Sequence, residues 1–577
     1  MSSDLATPAP RDDVLSNEDL LGIIFGFVQE FNHAEATPHD FNGSTSLREM
    51  LLPNLSSNQQ LLNLALTHKS FLEPALKVLW RHIPSLLPLL GLLPEFGLIG
   101  KSSDYGFKKI PSHASDWQRF HVYAPYVKAI TLGKVPQSIS PFVYHVLALA
   151  CPSHSVGFYV PALRAIRVDC SSPANFPGAF FVTTASQHFP SLRKVEVVNY
   201  LTGGADLHAD SQVFLQQLFP VLVGRQPRVN QLAFRGEWNL SSFTELQDRL
   251  PSLPQLSHVA LEVPGSMLLV RQACHRLGQL RNLRHLSIRL SPTSKRSKKK
   301  YTVKEGFSSL RELEVVGPAW EASRVISSIE GPRLEHVFIH LTSFELLDAL
   351  CLHSRIGNLI QSSPRLVTFS LTGASSGASG QDIFASYSQS SSPVSSDSEP
   401  STAQVSIVHL LAERCPNLTS LTLPASFNIS LTSSPDSSSG SGSAHPTYAS
   451  ITCLSALAKG CPHLVDLRLG LRLHAVAEDD LVGFWKPQGS EPDAVRRPHP
   501  LKSLWINAHD TGQLTVPECI SIAKFLHGLF PRLVQLEQYG GSGSFSSMSL
   551  ECKTFYCVKA SFQTMKEMEE QLSRAAM

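Results

Sequence analysis

LRNLRHLSIRL, residues 280–290, carries three aliphatic side chains, Leu283, Leu286 and Ile288, in an L-x-x-L-x-L triplet. Matching triplets begin at Val127, Leu163, Leu192, Val229, Leu256, Leu283, Leu310, Leu334, Leu366, Leu418, Leu464, Leu501 and Leu533, the last with Gln538 in its third apolar place. The second and third apolar residues of each triplet are two apart, so both point to one face of a short strand. Val229, Leu256, Leu283 and Leu310 are spaced by 27 residues, and the other intervals run from 24 to 52. Such a period marks a repeat architecture, and the longer intervals need only a longer loop or helix in some units.

The segments before several triplets read as amphipathic helices ending at a proline: DSQVFLQQLFP before Val229, VSIVHLLAERCP before Leu418, ITCLSALAKGCP before Leu464 and CISIAKFLHGLFP before Leu533. Proline cannot continue a helix and drives the residue before it towards an extended conformation, so Pro416, Pro462 and Pro531 mark where helix yields to strand. Each unit is therefore helix, turn, strand. No unit can bury its leucines alone, so the units must stack over a shared core. The expected fold is α/β: a leucine-rich-repeat solenoid over residues 97–549, closed by a cap over 550–577 whose MKEMEEQLSRA segment reads as a charged helix.

At 42% hydrophobic residues the chain can fill an extended core, and its net charge of +2 offers no general attraction to nucleic acid or anionic membrane. The polar start, MSSDLATPAPRDD, is a tail over residues 1–13 and lacks a secretory pattern. The apolar run at 83–100 is broken by Pro84, Pro88 and Pro94, too short between breakers to span a bilayer. The expected location is cytoplasmic, nuclear or both. Ten cysteines form no C-x-x-C pair, so no zinc knuckle or thioredoxin-type site is indicated. Cys415 and Cys461 share a Cys-Pro-x-Leu register, expected to bury a small thiol at the repeat corner. Residues 373–403 and 428–446 are too polar to repay the entropy of ordering and read as disordered insertions; Ser391, Ser392, Ser395, Ser396 and Ser398 are candidate phosphoacceptors.

Ahead of the repeats, residues 14–96 read as a helical module with a polar insertion over 32–58. In VLSNEDLLGIIFGFVQEF, Leu20, Ile23, Ile24, Phe27 and Val28 form an apolar stripe behind an N-cap at Ser16. Helices are also expected over 58–90, whose apolar residues exceed what one helical hairpin can hide. Leu15, Asp19-Leu20-Leu21, Ile24-Phe25, Leu61-x-x-Leu64-Ala65-Leu66-x-x-Lys69-Ser70-Phe71, Ala75-Leu76 and Leu79-Trp80-Arg81 together resemble an F-box, most closely the fungal type followed by leucine-rich repeats. Two features depart from that pattern: Leu15-Ser16 replaces the usual Leu-Pro, and the polar insertion separates the first two helices. The resemblance implies a substrate receptor of an SCF cullin-RING ubiquitin ligase. It places Leu15, Leu20, Ile24, Leu61, Leu64, Ala65 and Phe71 in adaptor contact or in the module core. The same helices would equally serve as a cap over the first repeat's open edge.

The third, fifth and seventh positions of each triplet point away from the core. This puts Arg167, Arg235, His258, His285, Arg289, Glu312, His336, Phe338, Arg468 and Trp505 on a surface for a protein target, with Phe338 and Trp505 as aromatic anchors. His258, His285, Glu312 and His336 share one position in successive units and form a ladder of titratable side chains, read as a solvated polar row. No nucleophile, base and orienter share a spacing signal, so the reading is nonenzymatic, with no metal, no cofactor, and no nucleic-acid or membrane partner. The first rival is an interaction scaffold with no ligase link, and the second an enzyme built on the His/Glu ladder.

Overall fold

The computed structural model describes, apart from isolated positions, residues 17–25, 55–99, 104–132, 139–149, 160–170, 191–199, 228–264, 267–291, 305–343, 346–373, 406–424, 429–430, 447–448, 451–473, 498–509, 514–538 and 550–576. The chain forms two compact units, Met1–Leu283 and Arg284–Met577. Both are mixed α/β, each built on a ladder of parallel strands paired in sequence order, with short antiparallel pairs such as Phe96–Leu98 with Tyr105–Phe107 beside it.

In the first unit the ladder runs through β1 (His82–Ile83), β2 (Ala129–Leu132), β3 (Ala165–Asp169), β4 (Lys194–Asn199), β5 (Gln231–Gly236) and β6 (His258–Val263). In the second it runs through β7 (His285–Leu290), β8 (Glu312–Gly317), β9 (His336–Leu341), β10 (Thr368–Gly373), β11 (Ser420–Leu423), β12 (Asp466–Arg472), β13 (Ser503–His509) and β14 (Gln535–Gln538). Every triplet named above supplies one strand. β1 is additional, in a stretch where helix was expected: the chain leaves its helix at Trp80 and His82–Ile83 pairs with Ala129–Ile130.

The period of two holds along the ladders. Leu286, Leu313, Val337, Phe369, Leu421, Leu467, Leu504 and Leu536 stand opposite one another in register, all buried, and Ile288, Val315, Ile339, Leu371, Leu423, Leu469 and Ile506 form a second buried row. Gln538, at the end of that second row, is half-buried and is the last residue of β14. At the corners the first aliphatic residue of the triplet donates its N–H to the carbonyl three residues back, as Leu334 does to Gly331, Leu366 to Ser363, Leu418 to Cys415, Leu464 to Cys461 and Leu533 to Phe530. Proline occupies the second place of each of these turns, where its fixed φ suits a type I turn.

The next residue's carbonyl then accepts two N–H groups from the following repeat. Arg284 takes those of Arg311 (2.8 Å) and Glu312 (2.9 Å), and Arg311 takes those of Glu335 and His336. Side chains reinforce the corner in the second unit. Ser363 Oγ donates to the Gly331 carbonyl (3.2 Å), Cys415 Sγ to Ser363 (3.8 Å) and Cys461 Sγ to Cys415 (3.5 Å). His499 accepts the Leu501 N–H at Nδ1, so its Nε2–H donates to the Cys461 carbonyl at 3.1 Å, and Phe530 stacks edge-on against the imidazole. The two thiols are fully buried, as the Cys-Pro-x-Leu register implied, and burial pushes Cys415 up to about 12 and Cys461 to about 11.

At the amino end, residues 19–25 are helical, followed by α1 (Leu55–Thr67) and α2 (Lys69–Leu79). Asn17, one residue past the expected Ser16, caps the first helix: its Oδ1 accepts the Leu20 N–H at 3.0 Å. The buried face of that helix is Leu21 and Phe25, which join Leu61, Ala65, Ala75 and Val78 in a small core. The expected stripe is turned outward at Leu20, Ile23 and Ile24. α2 leads straight into β1, and Trp80 stacks on Tyr123 at 4.9 Å, tying these helices to the edge of the first ladder. At the other end a helix over Leu550–Ala576 buries Phe555, Val558 and Phe562. It also places Lys559 on Glu537 at 2.7 Å and Lys566 on the Leu533 carbonyl.

At the start of the second insertion, where disorder was expected, Ile429–Ser430 pairs antiparallel with Thr447–Tyr448, just beyond its end. Residues 374–403, the serine phosphoacceptors among them, and Leu15 with the tail lie outside the described residues. Among the described residues no helix is long and apolar enough to cross a membrane.

Glycine is required where repeats touch. Gly236 has φ +96°, and a Cβ there would lie 2.0 Å from the Asn199 carbonyl oxygen. A Cβ on Gly460 would meet the Ala412 carbonyl oxygen at 2.0 Å, whereas one on Gly357, inside a helix over Leu346–Ser362, would meet only the Leu410 side chain at 3.7 Å. Gly460→Ala is therefore expected to destabilise by about 1–3 kcal/mol, the usual cost of overpacking. Gly357→Ala is expected to stabilise by up to about 1 kcal/mol through helix propensity. Urea denaturation of the two variants checks the opposite signs.

Candidate functional site

The residues alternating with the buried rows form a half-exposed polar face on the second unit. His285, Glu312 and His336 are direct neighbours in register, followed by Thr368, Ser420, Asp466, Ser503 and Gln535. His285 Nδ1 and Glu312 Oε2 are 2.8 Å apart. Two strand positions further on, the row reads Ser287, Glu314, Phe338, Ser370, Thr422, Arg468, Trp505 and Glu537. Phe338 stands between Glu314 and Ser370, a half-buried ring in a polar row. The Arg468 guanidinium lies 5.3 Å from the centre of the Trp505 ring, with Asp466 3.7 Å from its Nε. A cation held over an indole face by a carboxylate loses rotamer freedom before any partner arrives, which lowers the entropic cost of using that pair in binding.

His340 occupies the next outward position, its Nδ1 2.9 Å from Thr372 Oγ1. Partial burial, and then Arg289, hold its pKa below the usual histidine value, against a smaller opposing effect of Glu314. Burial lowers His353 and His499 in the same way. Among the described residues no group of three or more His, Cys, Asp or Glu side chains is gathered to hold a metal ion.

The first unit differs. His258 sits on its last strand, half-buried, with Nδ1 2.8 Å from Ser257 Oγ. Arg167, expected on an open surface, is only 5% exposed, and its strand neighbour Glu196 is 1% exposed. Arg167 Nη1 and Arg235 Nε lie 3.9 and 3.4 Å from Glu196 Oε1. Neither Glu196 oxygen has a hydrogen bond among the described residues. Strand periodicity fixed the side of the sheet correctly for Arg167, but nothing in one sequence told that this part of the face is covered. Two arginines flanking one carboxylate are a structural ion cluster, so Arg167 is withdrawn from the target-facing set, and Arg235 remains at its half-buried margin.

The helical module divides its residues just as sharply. Leu61 and Ala65 are buried, and Leu64 and Phe71 pack against the small core. Leu20 (36%) and Ile24 (43%) are exposed, together with Ile23, Leu62, Leu66 (76%) and Leu72. Leu66, the most exposed of them, lies off the buried Leu61–Ala65 face.

No protein-family model matches the chain, and no curated protein matches it.

Glu196→Ala leaves Arg167 buried without its counter-charge and is expected to cost about 3–5 kcal/mol, read from the urea midpoint. For His340 the folded state binds a proton less readily than the unfolded chain. Its contribution to stability is therefore whole above about pH 6.5 and is lost as the pH falls through that value towards its lower folded pKa. His340→Gln should flatten the pH dependence of the melting temperature in that window, with His353 and His499 supplying what remains.

Proposed function

We propose that the chain is a substrate receptor of an SCF-type ubiquitin ligase: an F-box-like module followed by a leucine-rich-repeat solenoid. The observation that carries the reading is the unspent apolar surface of the three short helices. Their core is satisfied by six buried side chains, yet Leu20, Ile23, Ile24, Leu62, Leu66 and Leu72 remain exposed within so small a module. Six exposed large aliphatic side chains on so small a module support a protein-binding site over ordinary surface variation. A Skp-type adaptor is the occupant that the sequence resemblance implies. The second unit's polar face, with Phe338 and the Arg468–Trp505 pair, is then the surface for the protein to be ubiquitinated. In this reading the transfer chemistry belongs to the cullin-RING partners, and the chain itself binds and positions.

A second reading draws on β1. Because α2 runs directly into a strand that pairs with β2, the helices also close the edge of the first ladder, as a scaffold's cap would. Capping and adaptor binding use different faces: the cap needs Trp80 and β1, the adaptor needs the outward leucines and isoleucines.

Capture of the full-length chain by recombinant Skp-type adaptor separates the two readings. Ile23→Asp with Leu66→Asp alters exposed positions only, so it is expected to abolish capture while leaving the melting temperature within a few degrees of wild type. Wild-type protein that the adaptor fails to retain, or a double variant retained equally well, would leave the cap as the sole role of the module.

A further inference from the structure

The second position of each triplet, which supplies the doubled carbonyl acceptor, also carries a side chain, and at the first four corners of the first unit, before Asn230 and Ser257 continue the column, these side chains share one charge. Lys128 and Ala129 donate their N–H groups to the Arg81 carbonyl, Arg164 and Ala165 to Lys128, and Arg193 and Lys194 to Arg164. Arg81, Lys128, Arg164 and Arg193 therefore stand in register on adjacent strands, about 4.8 Å from one to the next. Arg164 and Arg193 are exposed, and Arg81 and Lys128 are half-buried.

Like charges at this spacing repel, and they are normally interleaved with acids. Here none of the four is ion-paired among the described residues. The Arg81 Nε is buried with no hydrogen-bond partner among them. Lys128 is held below the usual lysine pKa by burial first, then by Arg81 and Arg164, with no acidic group offsetting them. Residues 81–200 carry eleven Lys and Arg against five Asp and Glu, so the excess is regional rather than a property of the whole chain at +2. The equivalent column in the second unit is broken up: Arg311 is 3.6 Å from Glu335, and Val367, Thr419 and Val465 follow.

We propose that the column Arg81–Lys128–Arg164–Arg193 is a docking edge for an extended acidic segment of a partner protein. Three strand spacings span about 14 Å, which an extended peptide covers in about four residues, so a short run of Asp or Glu matches the column in length and sign. Single-stranded nucleic acid fits less well. It needs open aromatic faces for its bases, and Trp80, beside Arg81, is stacked on Tyr123. Binding here requires neither the outward face of the helical module nor the second unit, so this inference stands apart from the adaptor reading.

Fluorescence polarisation of full-length protein with a labelled oligoglutamate peptide tests it. The peptide is expected to bind at low salt, to weaken as salt rises, and to lose binding when glutamine replaces glutamate. Arg164→Glu with Arg193→Glu should weaken binding by about tenfold or more, and Arg164→Gln with Arg193→Gln by an intermediate factor, guarding against an effect on folding. Arg284→Glu with Arg311→Glu, at the equivalent places of the second unit, should leave the affinity unchanged. The proposal is overturned if the oligoglutamate does not bind, if the first double reversal binds like wild type, or if a labelled oligouridylate binds more tightly than the peptide.

Discussion

The carbonyl of Arg284 takes the N–H groups of both Arg311 and Glu312, and the same doubled bond recurs at Arg311, Glu335, Val367, Thr419, Val465 and Lys502. This is the constraint on which the rest of each unit depends. It sets where the next strand begins relative to the last, and a slip of one residue would turn Leu313 or Leu421 out of the core. The turn that precedes it, with proline in its second place before Glu335, Val367, Thr419 and Val465, delivers the chain to that acceptor in the right direction. The helix before the turn can then be long or short, since only its end must meet the corner.

That division of labour accounts for the uneven spacing of the repeats. Between Leu366 and Leu418 the interval reaches 52 residues, yet β10 and β11 still pair Thr368 with Ser420 and Phe369 with Leu421. Lengthening a connection costs little, because closure entropy grows only with the logarithm of its length. A missing acceptor at the corner would cost a buried hydrogen bond on two donors. The corners are therefore the constrained part of each repeat, and the connections between them are free to differ in length.

The parallel α/β architecture and its register were legible because they rest on short-range chemistry. Aliphatic residues two apart, and a proline two places before the first aliphatic residue of the triplet, each carry their meaning within a few residues. β1 escaped because Trp80-Arg81-His82-Ile83 has an aromatic residue in the first aliphatic place and follows a helix without a break. The burial of Arg167 and Glu196 was illegible for a different reason: alternation says which side of a sheet a residue occupies, while covering that side is a long-range event. The outward turn of Leu20, Ile23 and Ile24 belongs to the same class. Leu21 and Phe25 make an equally good helical stripe, and only the arrival of Leu61 and Ala65 decides which of the two is buried. The outward aromatic residues were placed by register, and their half-burial depends on neighbours, such as Arg468 beside Trp505, that lie a whole repeat away.

The doubled acceptor also has a direction. Each corner presents a receptor for the next and makes no demand on the one after that, so whole repeats could be gained or lost by tandem duplication or deletion without refitting their neighbours. What such a scheme lacks is an intrinsic stopping rule. Gln538 and the Leu550–Ala576 helix provide one: the terminal strand is short, its second inward place is amide rather than aliphatic, and Lys566 sits on a carbonyl of the preceding turn. At that last corner the ladder of parallel strands is brought to a halt.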